Sequence, residues 1–332
     1  MAITLAEAKV GMADHVDQMV IDEFRRSSLL LDMLTFDNAI SPGTGGSTLT
    51  YGYIQLQTPS TAATRQINGE YTANEAKRTE KTAKAIIMGG KFNVDRVIEN
   101  TSGAVDEIAF QLREKVKATT NYFHNLVING TSASTGAGYV TNTFDGLRKS
   151  LAGKSTEITS TIDLSDSSKL DTNYAAFLDE LDELVHKVDG KPSLLLMNGD
   201  MLLKVRACAR RAGYYSRERD DFGRWVEMYG DIPMLDTGKY YDGSASVDCI
   251  ATSTPTTAAA GTSSIYAVNI GLDAFHGIAP TGTGVINTYL PDMSAPGAVK
   301  TGEVELVAGV VLKNTLKAAA LNGITLKPKA AA

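Results

Sequence analysis

The chain has 332 residues, 43% hydrophobic and 21% charged, with a formal net charge of −6. That balance supports a sizeable core and allows two or three domains, and it argues against a surface that grips nucleic acid broadly, which needs clustered Lys and Arg, though not against one that lies near nucleic acid without holding it. No run approaches the ~18 consecutive apolar residues of a membrane helix, and the opening MAITLAEAKV lacks the basic stretch and apolar run of a secretory signal, so a soluble protein made in a cytosol is expected.

Residues 1–47 read as an arm. Met12–Leu34 has a helical pattern through Val16, Met19, Val20 and Phe24 to Leu29, Leu30 and Leu31, and SPGTGGST breaks the chain soon after Phe36. With no core of its own, this helix is expected to pack on another part of the fold or on a neighbouring chain. Thr48–Gln57 reads as a strand, with Leu49, Tyr51 and Tyr53 alternating before the phase slips at Ile54; Ala85–Val94 resumes a strand pattern. The two strands enclose a long polar tip with almost no large aliphatic side chain. An extended hairpin of this kind cannot bury its own sides. Its tip is either a solvated loop or lies on another subunit, where Arg65, Glu70, Glu75, Lys77, Arg78, Glu80 and Lys81 suit inter-chain ion pairs.

The stretch from Ser102 to Asn129 organises the rest. Val105, Ile108, Ala109, Leu112, Val116, Phe123, Leu126 and Val127 recur at steps of three and four, the spacing of one helix face. Thr101 or Ser102 can cap it, Asp106 and Glu107 suit its positive end, and Asn129-Gly130 supplies a stop. The opposite face (Glu107, Gln111, Glu114, Lys115, Asn121) is polar, so a long half-buried rod is expected, a beam more than a catalytic element. Phe144–Leu151 follows as a turn with a short helix. Asn173–Val188 is a second amphipathic helix, Ser193–Met197 a buried strand, and Asn198–Ala212 a third helix, together an α/β unit around a central sheet. The segment from Tyr215 to Gly238 gives a charged loop, a strand and a turn. Ser264–Asn269 and Asp273–Ile278 read as strands. Glu303–Leu316 is a strand with Val304, Leu306, Ala308, Val310 and Leu312 on one side, and a short apolar tail runs through Ile324.

Catalytic chemistry finds little purchase. Cys208 and Cys249 fit no metal-ligand spacing and read as buried thiols. Gly43–Thr48 lacks the lysine of a phosphate loop, and neither a Gly-x-Ser-x-Gly elbow nor a His-Glu-x-x-His pair occurs. His15, His124, His186 and His276 are scattered over four elements. Asp220 and Asp221 are adjacent, so on a strand they point to opposite faces; beside Arg217, Arg219 and Arg224 they suit ion pairs between subunits. No catalytic, cofactor-binding or metal-binding residue is assigned, no cofactor is expected, and the chain is not expected to be an enzyme.

This order of parts resembles the tailed-bacteriophage major capsid proteins of the HK-97 fold. The resemblance is carried by MAITLAEA and LLDMLTF, the loop 48–95, the long helix 102–129, Phe144-Asp-Gly-Leu147, Leu194-Leu-Leu-Met-Asn198, Tyr229-Gly-Asp-Ile-Pro-Met234, Ser264-Ile-Tyr-Ala-Val268 and the closing VELVAGVVLKNTLKAAALNGI. It implies an α+β, HK-97-like capsid fold: an N-terminal arm (1–47), an extended β-hairpin loop (48–95), a peripheral domain with a spine helix (96–145 and 285–332) and an axial α/β domain (146–284). It further implies a structural subunit that self-assembles into hexamers and pentamers of an icosahedral shell. That shell encloses double-stranded DNA without sequence-specific binding, touches no membrane, and is assembled in a host bacterial cytoplasm to become the virion capsid. Portal and decoration proteins are implied partners. The arm starts almost at once, without the long helical scaffolding segment of some relatives, so scaffolding would come from a separate protein or be dispensed with. Other relatives cross-link subunits through a lysine; the loop offers Lys77, Lys81 and Lys84, none of which can be aligned with that role, and no cross-link is assigned. An encapsulin-type nanocompartment shell is the alternative. A third reading is an α/β enzyme without a recognisable motif, for which His276 and Asp220 would be tested first.

Overall fold

The computed structural model describes residues 29–40, 49–95, 107–134, 138–213, 216–219, 225–280, 286–292 and 294–330. Most of the arm helix expected over 12–34 therefore lies outside the described residues. Its last turn is α1 (Leu29–Met33), which seats Leu30 and Leu31 in the subunit's own core. β1 (Phe36–Ile40) follows, then a long antiparallel ribbon of β2 (Thr50–Thr58) and β3 (Lys77–Lys84). β3 corrects the expected hairpin. The partner of β2 is the polar run KRTEKTAK, whereas β4 (Ile86–Asp95), expected to be that partner, turns away into another sheet. Backbone pairing needs no apolar pattern, so the period-2 signal was absent where the strand formed.

The long helix is α2 (Glu107–Asn129), about 34 Å at 1.5 Å per residue; residues 101–106, where its expected caps fall, lie outside the described set. Leu112, Val116, Phe123, Leu126 and Val127 are buried as the spacing required. The half-buried expectation holds only for the first part. From Phe123 to Ile128 every residue is buried, His124 and Asn125 included, because other elements close around this end. One of them is α3 (Leu147–Leu151), introduced by Phe144-Asp-Gly. The Phe144 ring lies 6.2 Å from that of Phe123, and Asp145 Oδ1 accepts from the Ser132 amide at 2.7 Å. A Cβ on Gly146 would stand 2.6–2.9 Å from the carbonyl oxygens of Leu126, Val127 and Ile128. Only glycine lets the chain pass so close to the helix end.

The next elements are β5 (Glu157–Thr159), α4 (Ser167–Lys187), β6 (Leu194–Met197), α5 (Gly199–Arg211), β7 (Ser216–Arg219), β8 (Trp225–Tyr229) and β9 (Ile232–Asp236). α4 starts earlier than its apolar stripe suggested, because Asp166 accepts from the Lys169 amide and caps it. The charged loop expected after Tyr215 contains β7, hairpinned to β8. A small pair, β10 (Lys239–Tyr241) and β11 (Ser246–Asp248), precedes β12 (Gly261–Val268), β13 (Phe275–Pro280), β14 (Ile286–Tyr289), β15 (Val299–Leu312) and β16 (Ala318–Lys327). The expected apolar tail is β16, an interior strand.

Two sheets result. β15 pairs with β4 along one edge and with β14 and β13 along the other, and β1 adds in parallel to β13. Phe36 lies directly over Gly277 there, where a Cβ would meet the ring at 2.6 Å. The second sheet runs β5-β16-β12-β6-β9-β8-β7. Its central strands read as unbroken apolar runs because both faces are covered. Leu194, Leu196, Tyr266, Val268, Ala318 and Ala320 face the core shared with α2 and the first sheet. Leu195, Met197, Ile265, Ala267, Ala319 and Leu321 face the core beneath α4 and α5. β13 thus shares the first sheet with β15, and β16 the second with β12.

Asn198 links β6 to α5. Its Oδ1 caps the helix by accepting from the Met201 amide at 2.8 Å, and its Nδ2 reaches the Ile250 carbonyl, Thr252 Oγ1 and Ser263 Oγ at 2.9–3.1 Å. Asn198→Ala removes the cap (~1 kcal/mol) and strands buried acceptors (about 1–3 kcal/mol). Urea unfolding should show a loss of about 2–4 kcal/mol; a loss under ~1 kcal/mol would mean that water takes the place of the amide.

Candidate assembly surface

The β2–β3 ribbon is the feature the core does not account for. Register pairs Thr50 with Lys84 and continues to Leu56 with Arg78. Tyr51, Tyr53 and Gln55 with Ala83 and Thr79 turn toward the body; Gly52, Ile54 and Leu56 with Thr82, Glu80 and Arg78 turn away. The alternation does not slip at Ile54. That residue and Leu56 form an outer apolar face, 71% and 56% exposed. An open cleft follows the ribbon between Gly52–Ile54 and Arg78–Glu80.

Among the described residues the ribbon is anchored at its root. Tyr51 Oη donates to Asp37 Oδ2 at 2.9 Å, the Lys313 ammonium lies 5.2 Å from the Tyr51 ring centroid, and Gln55 Nε2 donates to the Lys313 carbonyl at 2.9 Å. Tyr51, Ala85, Ile278 and Val311 make a small apolar cluster apart from the two main cores. Beyond that, the side-chain hydrogen bonds found for residues 57–76 stay within the ribbon and its tip. The tip has its own order. The Gly69 amide donates to the Gln66 carbonyl at 3.0 Å across a left-handed Asn68, and Arg65 Nη1 reaches the carbonyls of Gln66 and Gly69 while its guanidinium covers Tyr71 at 5.5 Å. Ile67 stands at the apex, 91% exposed.

The residues assigned from sequence to subunit interfaces divide accordingly. Arg65 is engaged in holding the tip. Glu70, Glu75, Lys77, Arg78, Glu80 and Lys81 are all exposed, and none forms an intrachain ion pair among the described residues. Arg217 and Arg219 lie on β7, paired across to Glu227 and Trp225, with side chains outside the described set; Asp220 and Asp221 also lie outside it. The exposed apolar side chains of the ribbon, Ile54, Leu56, Ile67 and Tyr71, are not among the assigned residues. Alternation carried unbroken past Tyr53 would have found the first two.

The titratable groups of the interior serve the fold. Burial holds the His124 imidazole down to about 4 against a backbone hydrogen bond to Thr237, and burial raises the thiols of Cys208 to about 11 and Cys249 to about 12. Both thiols are free and buried, as expected. Arg206 and the buried Glu227 carboxylate pair between α5 and β8. His276 is sealed inside the ribbon root. Among the described residues no three His, Cys, Asp or Glu side chains gather at metal-binding distance, and no helix is long and apolar enough to cross a membrane. His124 carries a pH dependence. Because its pKa is depressed in the folded chain, its contribution is complete above the ordinary 6.5 and is lost as pH falls from there toward 4, a span of roughly 3 kcal/mol. Urea midpoints should fall between pH 7 and 4.5, and fall less in His124→Gln; equal falls would clear His124 of the effect.

No family model matches the sequence, and no curated protein matches it. Solved structures do. The holo-SrpI encapsulin complex from Synechococcus elongatus PCC 7942 matches over 91% of this chain and 89% of that one, with a TM-score of 0.59 at 14% identity. Mycobacterium phage Ogopogo gives 0.54 at 13% identity over 89% and 92%, and the capsid of a native GTA particle 0.52 at 9% identity over 89% and 90%. What these structures share with this chain is its architecture: the fold is α+β and HK-97-like.

Proposed function

We propose that this chain is the structural subunit of an icosahedral viral capsid, assembling into hexamers and pentamers that enclose double-stranded DNA. The observation that carries this reading is the ribbon: a two-stranded arm fixed, among the described residues, at its root, with Ile54, Leu56 and Ile67 exposed. A monomer gains nothing by presenting that surface, whereas a neighbouring copy can cover it. Glu70, Glu75, Lys77, Arg78, Glu80 and Lys81 then pair across the contact, and Arg217, Arg219, Asp220 and Asp221 supply a second one. Each exposed pair contributes only about 0–1 kcal/mol, but closed symmetry repeats it around every ring.

In this reading residues 1–47 are the arm and 48–95 the extended loop. The peripheral domain is α2 with the β15 sheet, and the axial domain is the seven-stranded sheet with α4 and α5, taking β16 with it. The net charge of −6 suits a container that surrounds DNA without clamping it. A portal and decoration proteins, with a separate scaffold or none, are the partners, the virion is the destination and the host cytoplasm the site of assembly. The likeness to the SrpI encapsulin supports a second reading, a nanocompartment shell around protein cargo. Negative-stain microscopy with sedimentation of the purified chain tests both. Closed shells or hexamer-sized rings are expected, and nuclease-protected DNA or co-purifying protein separates the two. A chain that stays monomeric at high concentration, its ribbon folded, would overturn both.

A further inference from the structure

The ribbon root contains a group that shell formation does not use. His276 on β13 is fully buried, and among the described residues neither ring nitrogen has a hydrogen-bond partner at normal geometry; the backbone at Ala274 and Gly271 is near enough to favour a proton, against the larger effect of burial. Burying an imidazole without partners costs free energy whichever nitrogen carries the hydrogen. Its cover is Tyr51, which meets it edge-on at 5.9 Å and 77°. The groups facing this pocket come from every element around it. β1 brings Asp37, bonded to the Tyr51 hydroxyl, and β2 brings Tyr51, with Tyr53 at 6.3 Å beyond it. β15 places apolar Val311 directly opposite His276, and the residue after next is Lys313. Burial first, and then the Lys313 charge, hold the imidazole below its ordinary range, with Asp37 opposing.

We propose that His276 is an acid-sensitive release for the ribbon: lifting Tyr51 admits water to the imidazole, and protonation then holds the ribbon in the lifted state. The element that moves has little to restrain it. A four-residue apolar cluster and the bonds of Tyr51 and Gln55 are its attachment, which places it at the low end of local stability. The sign follows from the two states. With the ribbon seated the imidazole resists protonation, and with it lifted the imidazole titrates near 6.5. The seated state is therefore favoured above pH 6.5, and each unit below raises the lifted-to-seated ratio by up to about tenfold, until the seated form itself takes up the proton.

Hydrogen–deuterium exchange of the purified chain at pH 7.5 and 5.5 tests this, reading β2 and β3 peptides against β12 and β16 of the same molecule so that intrinsic rates cancel. The ribbon-to-body exchange ratio should rise severalfold at pH 5.5, and in His276→Leu it should be the same at both pH values. Should that variant not fold, as judged by β12 and β16 protection at pH 7.5, Lys313→Gln takes its place. Removing the nearby positive charge should shrink the pH response while leaving the apolar cluster intact. A wild-type ratio unchanged with pH, or a full response retained in the variant, overturns the proposal.

Discussion

Exchanging Ile54 and Leu56 together for Glu should abolish ordered assembly and leave the subunit folded. Both side chains stand on the outer face of the ribbon and touch neither main core, so the folded monomer loses almost nothing. In a shell each apolar side chain is worth about 1.5–3 kcal/mol when covered. The replacement forfeits that and places two carboxylates where they must be desolvated, beside Glu80 on the same face. Repeated around a closed ring, such a deficit decides between assembly and none. Sedimentation velocity and circular dichroism on the same sample read both halves of the prediction. Shells formed by the double variant at wild-type concentration would remove the ribbon face from the interface.

The largest effect on the subunit itself should come from Phe123→Ala. Phe123 has no exposed surface and sits between Phe36, at 6.5 Å, and Phe144, at 6.2 Å. It thus joins α2 to β1 on one side and to the Phe-Asp-Gly turn on the other. Large-to-small changes at such positions cost about 3–5 kcal/mol, because a cavity remains where the ring stood. For a domain stable by about 5–15 kcal/mol that is a substantial share. The urea midpoint should drop accordingly with an unchanged slope; a drop of less than ~1 kcal/mol would mean that Phe36 and Phe144 close over the gap.

Much of this architecture was legible in the sequence wherever an element buries one side. Helical spacing identified α2, α4 and α5, and alternation in β15 placed Val304, Leu306, Ala308 and Val310 inward, as found. The resemblance to HK-97-type proteins already implies the fold found. The failures share a cause: pattern reading is blind to strands that owe their existence to a partner. β3 is polar on both faces and forms because β2 offers its backbone. β16 carries an apolar run that sequence reads as a tail and topology reads as the interior of a sheet. For the candidate surface, charge draws attention to Lys77 and its neighbours, while Ile54 and Leu56 escape a reading in which the alternation slips at Ile54 instead of continuing outward.

The last two strands follow one another across a single 3-10 turn at Thr315–Lys317, yet they enter different sheets. β15 spans the first sheet and β16 lies between β12 and β5 in the second. During synthesis, then, both layers wait on the same late stretch of polypeptide. A nascent chain lacking residues 299–327 has an unfilled slot in each layer and no finished root on which Tyr51 and Gln55 can seat the ribbon. The order of synthesis thereby ties the closing of the two layers to one another.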